Sequence, residues 1–579
     1  MPRSVLLARG ADGHPVIVPL DEAGAPLGDG PPESVEPADL PDRVAEVEAN
    51  HAPRWVLPDT PARYDALLGA GVRIGRCHDL RLAHAILANS ELVADTAPLR
   101  AADGWSVPLD PAAGTAPAGV SGATLFDLDS APAGGVPDDA GEALAELARQ
   151  SAAIDGSADP SRLRLLVAAE SAGALVAAEM RAAGIPWDVA EHDRILTDEL
   201  GPRPSPGQAP ARMAEVGAEV RAALGDPLVP LDSPPRLLRA LHRAGIDVAS
   251  TSKRELTGIE HPAIDPLLRY KVMSRLLTAN GWAWIDDWVH EGRYRPVYVP
   301  GGVVTGRWAS SGGGALQIPR RLRPAVCADP GWVLVAADVS QLEPRVLAAM
   351  SGDAAMAQAG AGRDLYAGIV EEGVVATRQE AKVGVLGALY GGTSGDAGRV
   401  VARLRSTFPA AMGLVDRAAA AGERGGTVTT LLGRSSPPPP PEWSAFQASA
   451  HGADAAPGEG ERARRIARDR GRFTRNFVVQ GTAAEWALSW MALLRARLAA
   501  LPEAAAEHAA TASGPVFSRR AHLVHFLHDE VLVHAPAEQA DAAADAIRAA
   551  AEAAGRLLFP GSEVDFPLEL TVSERGTAK

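Results

Sequence analysis

Short apolar runs with the spacing of strands and longer runs with the spacing of helices follow one another along this chain. The first 160 residues contain three strand-like pieces, SVLLA, PVIVPL and RWVLP. Helical spacing appears in HDLRLAHAIL (78–87) and EALAELARQ (142–150). The pattern predicts a small α/β domain with loose loops between 93 and 140.

A second part begins near Ser161 with the apolar-periodic segment LRLLVAAESAGALVAAEMRAAG, a long helix predicted to end at Gly184 before Ile-Pro. Further helices are predicted through about residue 290. From 294 the sequence RYRPVYVPGGVVTGRW is typical of strands and turns. Later predictions are a turn and strand in GGTVTTLLG (425–433), a helix over 476–499 and a helix over 537–556.

One predicted strand ends in acids. The run Val333–Ala337 is apolar and rich in β-branched residues, and it leads to Asp338 and then to Glu343 at the start of a helix. Carboxylates at the end of a core strand are costly to bury without a partner. This strand therefore predicts a partner for the acids that offsets the cost of burying them.

A second acidic strand end lies in HLVHFLHDEVLVHAP (522–536), where two apolar strands flank His528-Asp529-Glu530 and predict a tight hairpin. If the fold brings Asp529 and Asp338 together, their oxygens form a hard site suited to Mg²⁺. A pair of such ions supports in-line phosphoryl transfer. The alternative is that each aspartate is an unrelated turn or cap residue.

A stripe on one helix fits the same chemistry. Arg378, Lys382, Leu386 and Tyr390 recur every four residues in TRQEAKVGVLGALYGG (377–392). The two cations suit a triphosphate, and the ring at the other end suits a base. A plain amphipathic helix would also show this spacing.

The charge of the chain is uneven. The net charge is −16, with 56 basic and 72 acidic residues, and residues 1–160 carry nearly all of the excess. The remainder is close to neutral and contains the clusters RRLR (320–323) and RARRIARDRGRFTR (462–475). Such clusters are compatible with phosphate binding, although a solvated helix face is the simpler interpretation.

Several classes of protein are disfavoured. The sequence shows no apolar run of 18 residues and no signal-peptide pattern, so we expect a cytoplasmic protein with no membrane partner. Cys77 and Cys327 are the only cysteines. Two cysteines do not build a disulfide framework or a cysteine zinc site, so any metal is expected on oxygen or histidine ligands.

Six motifs, in order, resemble those of family A DNA polymerases of the bacterial DNA polymerase I type. DVSQLEPR resembles DYSQIELR, RQEAKVGVLGALYGG resembles the fingers helix R-x₃-K-x₃-F-x₃-YG, and HDE resembles the third palm motif. The other three are TGRWASSGGGALQIP (305–319), GTVTTLLGR (426–434) and NFVVQGTAAE (476–485). On these motifs the chain from about Ser161 is identified as a member of that family.

The resemblance implies a multidomain fold of α/β and α+β type: a right-hand polymerase preceded by a small α/β, ribonuclease H-like, exonuclease-type domain. The expected domains are 1–160 for the exonuclease-like domain and 161–579 for the polymerase domain, with the thumb at about 186–290, the palm at about 291–353 and 426–579, and the fingers at about 354–425.

The resemblance also implies roles for single residues. Asp338 and Asp529 would bind two Mg²⁺ ions, with Glu530 as a supporting acid, and Lys382 would protonate the leaving pyrophosphate. Glu343 would exclude a 2′-hydroxyl. The expected nucleotide contacts are Arg378, Lys382, Glu343, Gln341, Leu386, Tyr390 and His528. The expected DNA contacts are Arg307, Gln317, Arg345, Arg434, Asn476 and Gln480.

Four positions depart from the family pattern. Val339 replaces a tyrosine, Pro344 replaces a leucine, Leu386 replaces an aromatic residue of the fingers stripe, and the asparagine of LQNIP is missing from LQIP (316–319). None of them is an expected metal ligand, so we expect an active polymerase. Leu386 predicts weak retention of the nucleotide through its ribose.

The N-terminal domain lacks the acids of a proofreading nuclease. Its first strands contain no Asp-x-Glu, Asp127-Leu-Asp129 comes too late in the chain, and Asp65 is the one further candidate. Exonuclease chemistry needs several acids around two metals. We therefore expect a degenerate 3′–5′ exonuclease domain without proofreading, and no room for a 5′ nuclease.

The expected function is template-directed addition of deoxynucleotides to a primer 3′ end, in DNA replication or repair. The expected partners are primer-template DNA and deoxynucleoside triphosphates, and the protein is expected to be a monomer associated with the nucleoid. One alternative is a DNA-binding scaffold without activity, which Leu386 and Val339 favour. Another is an RNA-synthesising relative, which Glu343 argues against.

Overall fold

A computed structural model describes residues 3–28, 32–107, 135–311, 313–314, 318–392, 396–450 and 458–576. The chain divides into two compact units. The first comprises Met1–Gly184, Val297–Gly312 and Pro330–Val572, and the second comprises Ile185–Pro296, Gly313–Asp329 and Ser573–Lys579. None of the helices described is both long and apolar enough to cross a membrane.

The N-terminal part of the first unit is a mixed sheet with helices. Its strands are β1 (Ser4–Arg9), β2 (Pro15–Leu20), β3 (Glu33–Ser34), β4 (Arg54–Leu57) and β5 (Arg76–Asp79). Its helices are α1 (Leu40–His51), α2 (Thr60–Gly69), α3 (Leu80–Leu87), α4 (Ala97–Arg100) and α5 (Ala140–Asp155). The strand order is β3-β2-β1-β4-β5, with β2 antiparallel to β1 and with β4 and β5 parallel to it.

The three predicted strands are confirmed as β1, β2 and β4, but the helix predicted over 78–87 begins later. His78 and Asp79 close strand β5. The Asp79 carboxylate then caps α3 by accepting a hydrogen bond from the Leu82 N–H at 2.8 Å. An aspartate at a helix N-cap satisfies an amide that has no partner within the helix.

Helix α6 (Pro160–Ala183) joins this sheet to the rest of the first unit. It is buried around most of its circumference, as expected for a helix that is apolar on nearly every side. Its residues Leu175, Ala178 and Ala183 share a hydrophobic core with Trp55 and Leu57 of β4. The predicted end is confirmed, because Gly184 has a φ of 69° and caps the helix.

The second unit contains mostly helices. Its elements are β6 (Ile185–Pro186), α7 (Val189–Leu200), α8 (Ala211–Ala223), α9 (Pro234–Arg243), α10 (Lys253–Leu256), α11 (Ile264–Asn280), α12 (Trp282–Trp288), β7 (Val289–His290) and β8 (Arg293–Tyr294). Rings pack at its centre, with the centroids of Trp284 and Tyr294 4.7 Å apart and those of Trp187 and Trp284 5.3 Å apart. This aromatic cluster forms part of the core of the unit.

The chain then returns to the first unit. Its strands there are β9 (Val297–Val299), β10 (Ala309–Ser311), β11 (Trp332–Val339), β12 (His522–Leu527), β13 (Glu530–Pro536) and β14 (Leu568–Ser573). Its helices are α13 (Leu342–Ser351), α14 (Ala354–Gly360), α15 (Leu365–Glu371), α16 (Arg378–Tyr390), α17 (Asp396–Thr407), α18 (Pro409–Glu423), α19 (Pro441–Ser449), α20 (Glu459–Ala499), α21 (Gly514–Phe517) and α22 (Ala540–Leu558).

A four-stranded sheet with the order β12-β13-β11-β14 lies at the centre of this part. The predicted strand and hairpin are confirmed, with β13 antiparallel to both β11 and β12. The side chains of Val335, Ala337, Val531 and Val533 are buried. This packing fixes the register that sets the positions of the acids at the strand ends.

Two predictions need correction. The helix predicted over 476–499 begins at Glu459, so the basic stretch 462–475 lies on the same helix, α20. The strand predicted within 425–433 forms only an isolated bridge from Thr429 to Ser435. Gly433 has a φ of 108°, outside the strand region, and the prolines that follow have no N–H for a sheet.

Candidate active site

The sheet brings the two aspartates together. Asp338 is paired with Glu530 in the β11–β13 ladder, and the Val339 N–H donates to the Asp529 carbonyl at 3.0 Å. Asp529 therefore lies diagonally across from Asp338. Its own N–H donates to the Leu527 carbonyl at 2.7 Å and closes a tight turn, in which His528 has a φ of 58°. The left-handed backbone at this histidine is a strained conformation, and the hairpin maintains it.

The electrostatics of Asp529 reflect this proximity. Burial, together with the negative charge of Asp338, raises the pKa of Asp529 to about 6, although Arg307 opposes the shift. Two neighbouring carboxylates that are both ionised repel each other, and a divalent cation would neutralise them. Glu530 is half-buried beside them.

The donor atoms fit Mg²⁺, which binds oxygen and commonly uses one or two carboxylates together with substrate phosphates. Within the described residues, no group of three or more histidine, cysteine, aspartate or glutamate side chains is placed to hold a metal ion. Asp338 and Asp529 are therefore the residues that would hold it, and the remaining ligands would have to come from substrate and water.

Glu343 connects three segments around these aspartates. Its carboxylate accepts hydrogen bonds from the Arg307 guanidinium and, at 2.6 Å, from the Tyr390 hydroxyl. Its side chain is 11% exposed, so the carboxylate is held in one position. Burial lowers the pKa of His528, the positive charge of Arg307 lowers it further, and Glu343 opposes the change. The structure thus brings together the predicted residues from the hairpin, α13, α16 and the turn before β10.

The predicted stripe on α16 is confirmed as helical. Thr377 and Glu380 form a capping box that fixes the start of the helix. Arg378 and Lys382 are exposed, Leu386 is half-buried, and Tyr390 is 43% exposed. The helix therefore presents two cations to solvent at its N-terminal end and a ring near Glu343 at its C-terminal end.

One residue of this region was not anticipated from the sequence. Asp364 accepts hydrogen bonds from Arg378 at 2.6 and 3.2 Å and from the Gln341 side chain at 3.0 Å. Gln341 itself has a φ of 54° and accepts from the Leu365 N–H at 3.2 Å. An aspartate directly before the apolar segment LYAGIV has the signature of an N-cap, and this signal could have identified Asp364.

Arg345 does not fit the expected contact with DNA. Its side chain is 1% exposed. The guanidinium donates to the carboxylate of Asp565 at 2.8 Å, to the Gly360 carbonyl at 3.1 Å and to the Arg363 carbonyl at 2.6 Å. A buried guanidinium with this many protein acceptors holds α13 against neighbouring segments, so we interpret Arg345 as structural.

Arg434 is also turned inward. It donates to the buried carboxylate of Glu170 at 2.6 Å, and its side chain is only 12% exposed. Burial raises the pKa of Glu170, and the positive charge of Arg434 opposes that shift. The Arg434 guanidinium is thus directed toward Glu170 in this structure, and its contact with DNA stays a prediction.

The two predicted contacts on α20 lie one helical turn apart. Gln480 accepts a hydrogen bond from the Thr305 hydroxyl at 3.0 Å. The side-chain oxygen of Asn476 is buried and has no hydrogen-bond partner among the described residues. Both side chains keep amide groups available for a ligand. Gln317 lies outside the described residues.

Comparison with known proteins finds relatives among DNA polymerases. Residues 208–575 match the family model for DNA polymerase family A. A thermostable DNA polymerase I of Thermus aquaticus is 31% identical over 249 residues, which cover 37% of this chain and 28% of that protein. A DNA polymerase I of Chloroflexus aurantiacus is 34% identical over 174 residues, which cover 27% of this chain and 18% of that protein. The matched segments thus span less than a third of either relative.

The fold has also been seen before. The POL domain of Pol1 from M. smegmatis, solved in complex with a DNA primer-template and dNTP, aligns over 99% of this chain and 95% of its own, with a TM-score of 0.63 and 17% sequence identity. This likeness supports the expected right-hand polymerase fold. Since the family model spans more than half of the sequence, the chain belongs to DNA polymerase family A.

Proposed function

We propose that this protein is a DNA-directed DNA polymerase that adds deoxynucleotides to a primer 3′ end on a template strand. One observation carries the proposal: the Asp338–Asp529 pair lies beside Glu343, whose partner Tyr390 ends the helix that presents Arg378 and Lys382. Acids for a metal and cations for a triphosphate are what phosphoryl transfer needs.

In this proposal the chain's own residues position and neutralise the reactants. Asp338 and Asp529 would hold two Mg²⁺ ions, which when bound supply an activated primer oxygen and charge neutralisation. Arg378 and Lys382 bind the triphosphate, and Lys382 donates a proton to the leaving pyrophosphate. Family A DNA polymerases generally depend on divalent metals.

The sugar is selected at Glu343. Hydrogen bonds from Arg307 and Tyr390 hold this carboxylate in place, so that it occupies the space that a 2′-hydroxyl would need. His528, Gln341 and the half-buried Leu386 complete the proposed nucleotide site. Arg307, Asn476 and Gln480 remain the proposed contacts with primer-template DNA.

The proposed domain arrangement follows the expectation from the sequence: an exonuclease-like domain in 1–160, a thumb in about 186–290, a palm in about 291–353 and 426–579, and fingers in about 354–425. We further propose that the exonuclease-like domain has lost proofreading. Strand β1 carries no carboxylate, and Asp65 pairs with Arg181 at 3.3 Å. Asp127 and Asp129 lie outside the described residues.

The proposed setting is DNA replication or repair, in the cytoplasm and at the nucleoid. The proposed partners are primer-template DNA and deoxynucleoside triphosphates, with the protein acting as a monomer.

The test is primer extension on a labelled primer-template with all four dNTPs and Mg²⁺. Asp529→Asn keeps the size of the side chain but removes a proposed metal ligand, and Glu538→Gln is the control for loss of one acidic charge just after β13. We expect extension by the wild type and by Glu538→Gln, and none by Asp529→Asn. Tight primer-template binding without extension by the wild type would favour the scaffold function. The same reaction without dNTPs tests for loss of nucleotides from the 3′ end.

A further inference from the structure

The Asp364 carboxylate binds Arg378, the first cation of the stripe on α16. Asp364 Oδ2 accepts from Arg378 Nη2 at 2.6 Å and from Nε at 3.2 Å, so both bonds use one edge of the guanidinium. The Arg378 guanidinium also lies over the Tyr366 ring, 5.6 Å from its centroid. The carboxylate and the ring together fix the plane of the guanidinium.

This arrangement leaves part of Arg378 available. The guanidinium carries five N–H donors, and Asp364 uses donors on Nε and Nη2 only. Nη1 makes no hydrogen bond to a described residue, and the Arg378 side chain is 56% exposed. An anion can therefore bind at the Nη1 end while Asp364 keeps its hold on the opposite edge.

Asp364 is itself fixed from three sides. Its Oδ1 caps α15 by accepting from the Ala367 N–H at 2.8 Å, and its Oδ2 also accepts from Gln341 Nε2 at 3.0 Å. Gln341 is the second residue after the end of β11, on the segment between Asp338 and Glu343. Through Asp364 and Gln341, hydrogen bonds therefore fix the orientation of the Arg378 guanidinium relative to strand β11, which carries Asp338.

We propose that Asp364 is a positioning residue for nucleotide binding: it orients the Arg378 guanidinium so that its Nη1 end receives the triphosphate. The inference rests on the proposed function, because it takes the ligand of Arg378 to be a deoxynucleoside triphosphate. Asp364 does not touch the nucleotide; it acts by reducing the rotamer freedom that Arg378 would lose on binding.

The test compares Asp364→Asn with Glu371→Gln in primer extension with varied dNTP. Asparagine retains the side-chain oxygen that caps α15, so the variant should fold. Its NH₂ group takes the place of the oxygen that accepts from Arg378, so the hydrogen bonds to the guanidinium are lost. Glu371 pairs with Arg363 and ends the same helix, so Glu371→Gln matches the loss of charge and of an ion pair. We expect KM for dNTP to rise about tenfold in Asp364→Asn, with a smaller change in kcat, and no change in Glu371→Gln.

The double variant Asp364→Asn/Arg378→Ala separates positioning from a general effect on structure. If Asp364 acts through Arg378, Asp364→Asn adds nothing to the KM of Arg378→Ala. A KM for Asp364→Asn equal to that of Glu371→Gln, or additive effects in the double variant, would overturn the inference while leaving the proposed function intact. No effect of Arg378→Ala on KM would overturn the inference together with the proposed role of Arg378. No extension by the wild type would count against the proposed function itself.

Discussion

Glu179 on α6 offers the sharpest test of how the N-terminal sheet is joined to the rest of its unit. Its carboxylate accepts from the Tyr64 hydroxyl at 2.8 Å, from Arg73 at 2.9 Å through two nitrogens, and from Arg495 of α20 at 2.6 and 3.0 Å. The side chain is 7% exposed. Glu179→Gln keeps the shape but leaves two guanidinium groups without their shared negative charge.

The expected loss of stability in Glu179→Gln follows from the pKa of Glu179. Burial opposes ionisation of Glu179, but the charges and hydrogen bonds of Arg495 and Arg73 lower its pKa from 4.5 to about 2. A shift of this size corresponds to roughly 3 kcal/mol in the free energy of unfolding. Removal of one partner from a buried ion pair costs about 3–5 kcal/mol, in the same range. Because the folded pKa is depressed, this contribution is fully present above pH 4.5 and is lost as the pH falls toward 2.

Thermal and urea unfolding, followed by tryptophan fluorescence, measure the effect. Glu503→Gln is the matched control, because Glu503 also binds two arginines, Arg519 and Arg520, but is 40% exposed. At pH 7.5 we expect Glu179→Gln to lower the free energy of unfolding by roughly 3 kcal/mol, and Glu503→Gln by less than about 1 kcal/mol. The difference between wild type and Glu179→Gln should narrow as the pH is lowered below 4.5. Equal stabilities for the two variants at pH 7.5 would refute the reasoning.

Three further outcomes are expected. Asp529→Asn should abolish extension but raise the midpoint of thermal unfolding in metal-free buffer, because it removes repulsion from Asp338; a lower midpoint would show that the carboxylates do not repel. Glu343→Ala should incorporate ribonucleotides at least about tenfold more readily, measured by the ratio of kcat/KM for rNTP and dNTP, and an unchanged ratio would exclude the steric gate. Leu386→Phe should lower KM for dNTP several-fold, because it adds a ring at a half-buried position. An unchanged or higher KM would contradict the prediction that Leu386 weakens retention of the nucleotide.

The sequence predicted the elements of the site well, because each has a strong local signal. The β11 strand, the tight hairpin ending in Asp529 and the helix from Arg378 to Tyr390 all appear as expected. A continuous apolar run rich in β-branched residues, a two-residue turn between strands and a four-residue spacing along a helix are local features, so they can be recognised without the fold. That Asp338 and Asp529 meet was predicted only as a condition on the fold, and the strand pairing satisfies it.

The direction in which a side chain points was harder to predict. Arg345 and Arg434 were expected to contact DNA, yet both guanidinium groups are turned toward acidic groups or carbonyls in the interior. Their partners Asp565 and Glu170 are distant in sequence, so no local pattern indicates these pairs. For Asp364 a local signal indicates the helix cap, but no local pattern indicates its bonds to Gln341 and Arg378, which depend on how three segments pack.

The contacts around Arg434 also bear on where this chain can be shortened. The Ser90 hydroxyl donates to the Gly433 carbonyl at 2.7 Å, and the Glu91 N–H donates to the Ser435 hydroxyl at 2.8 Å. If the N-terminal part were a dispensable module, the chain could be truncated at residue 160. That truncation would remove both hydrogen-bond donors from the loop that carries the motif at 426–434. It would also uncover the apolar face of α6 that packs on β4. The N-terminal sheet thus supports the loop at 433–435, and a shortened form of this protein would have to retain that sheet.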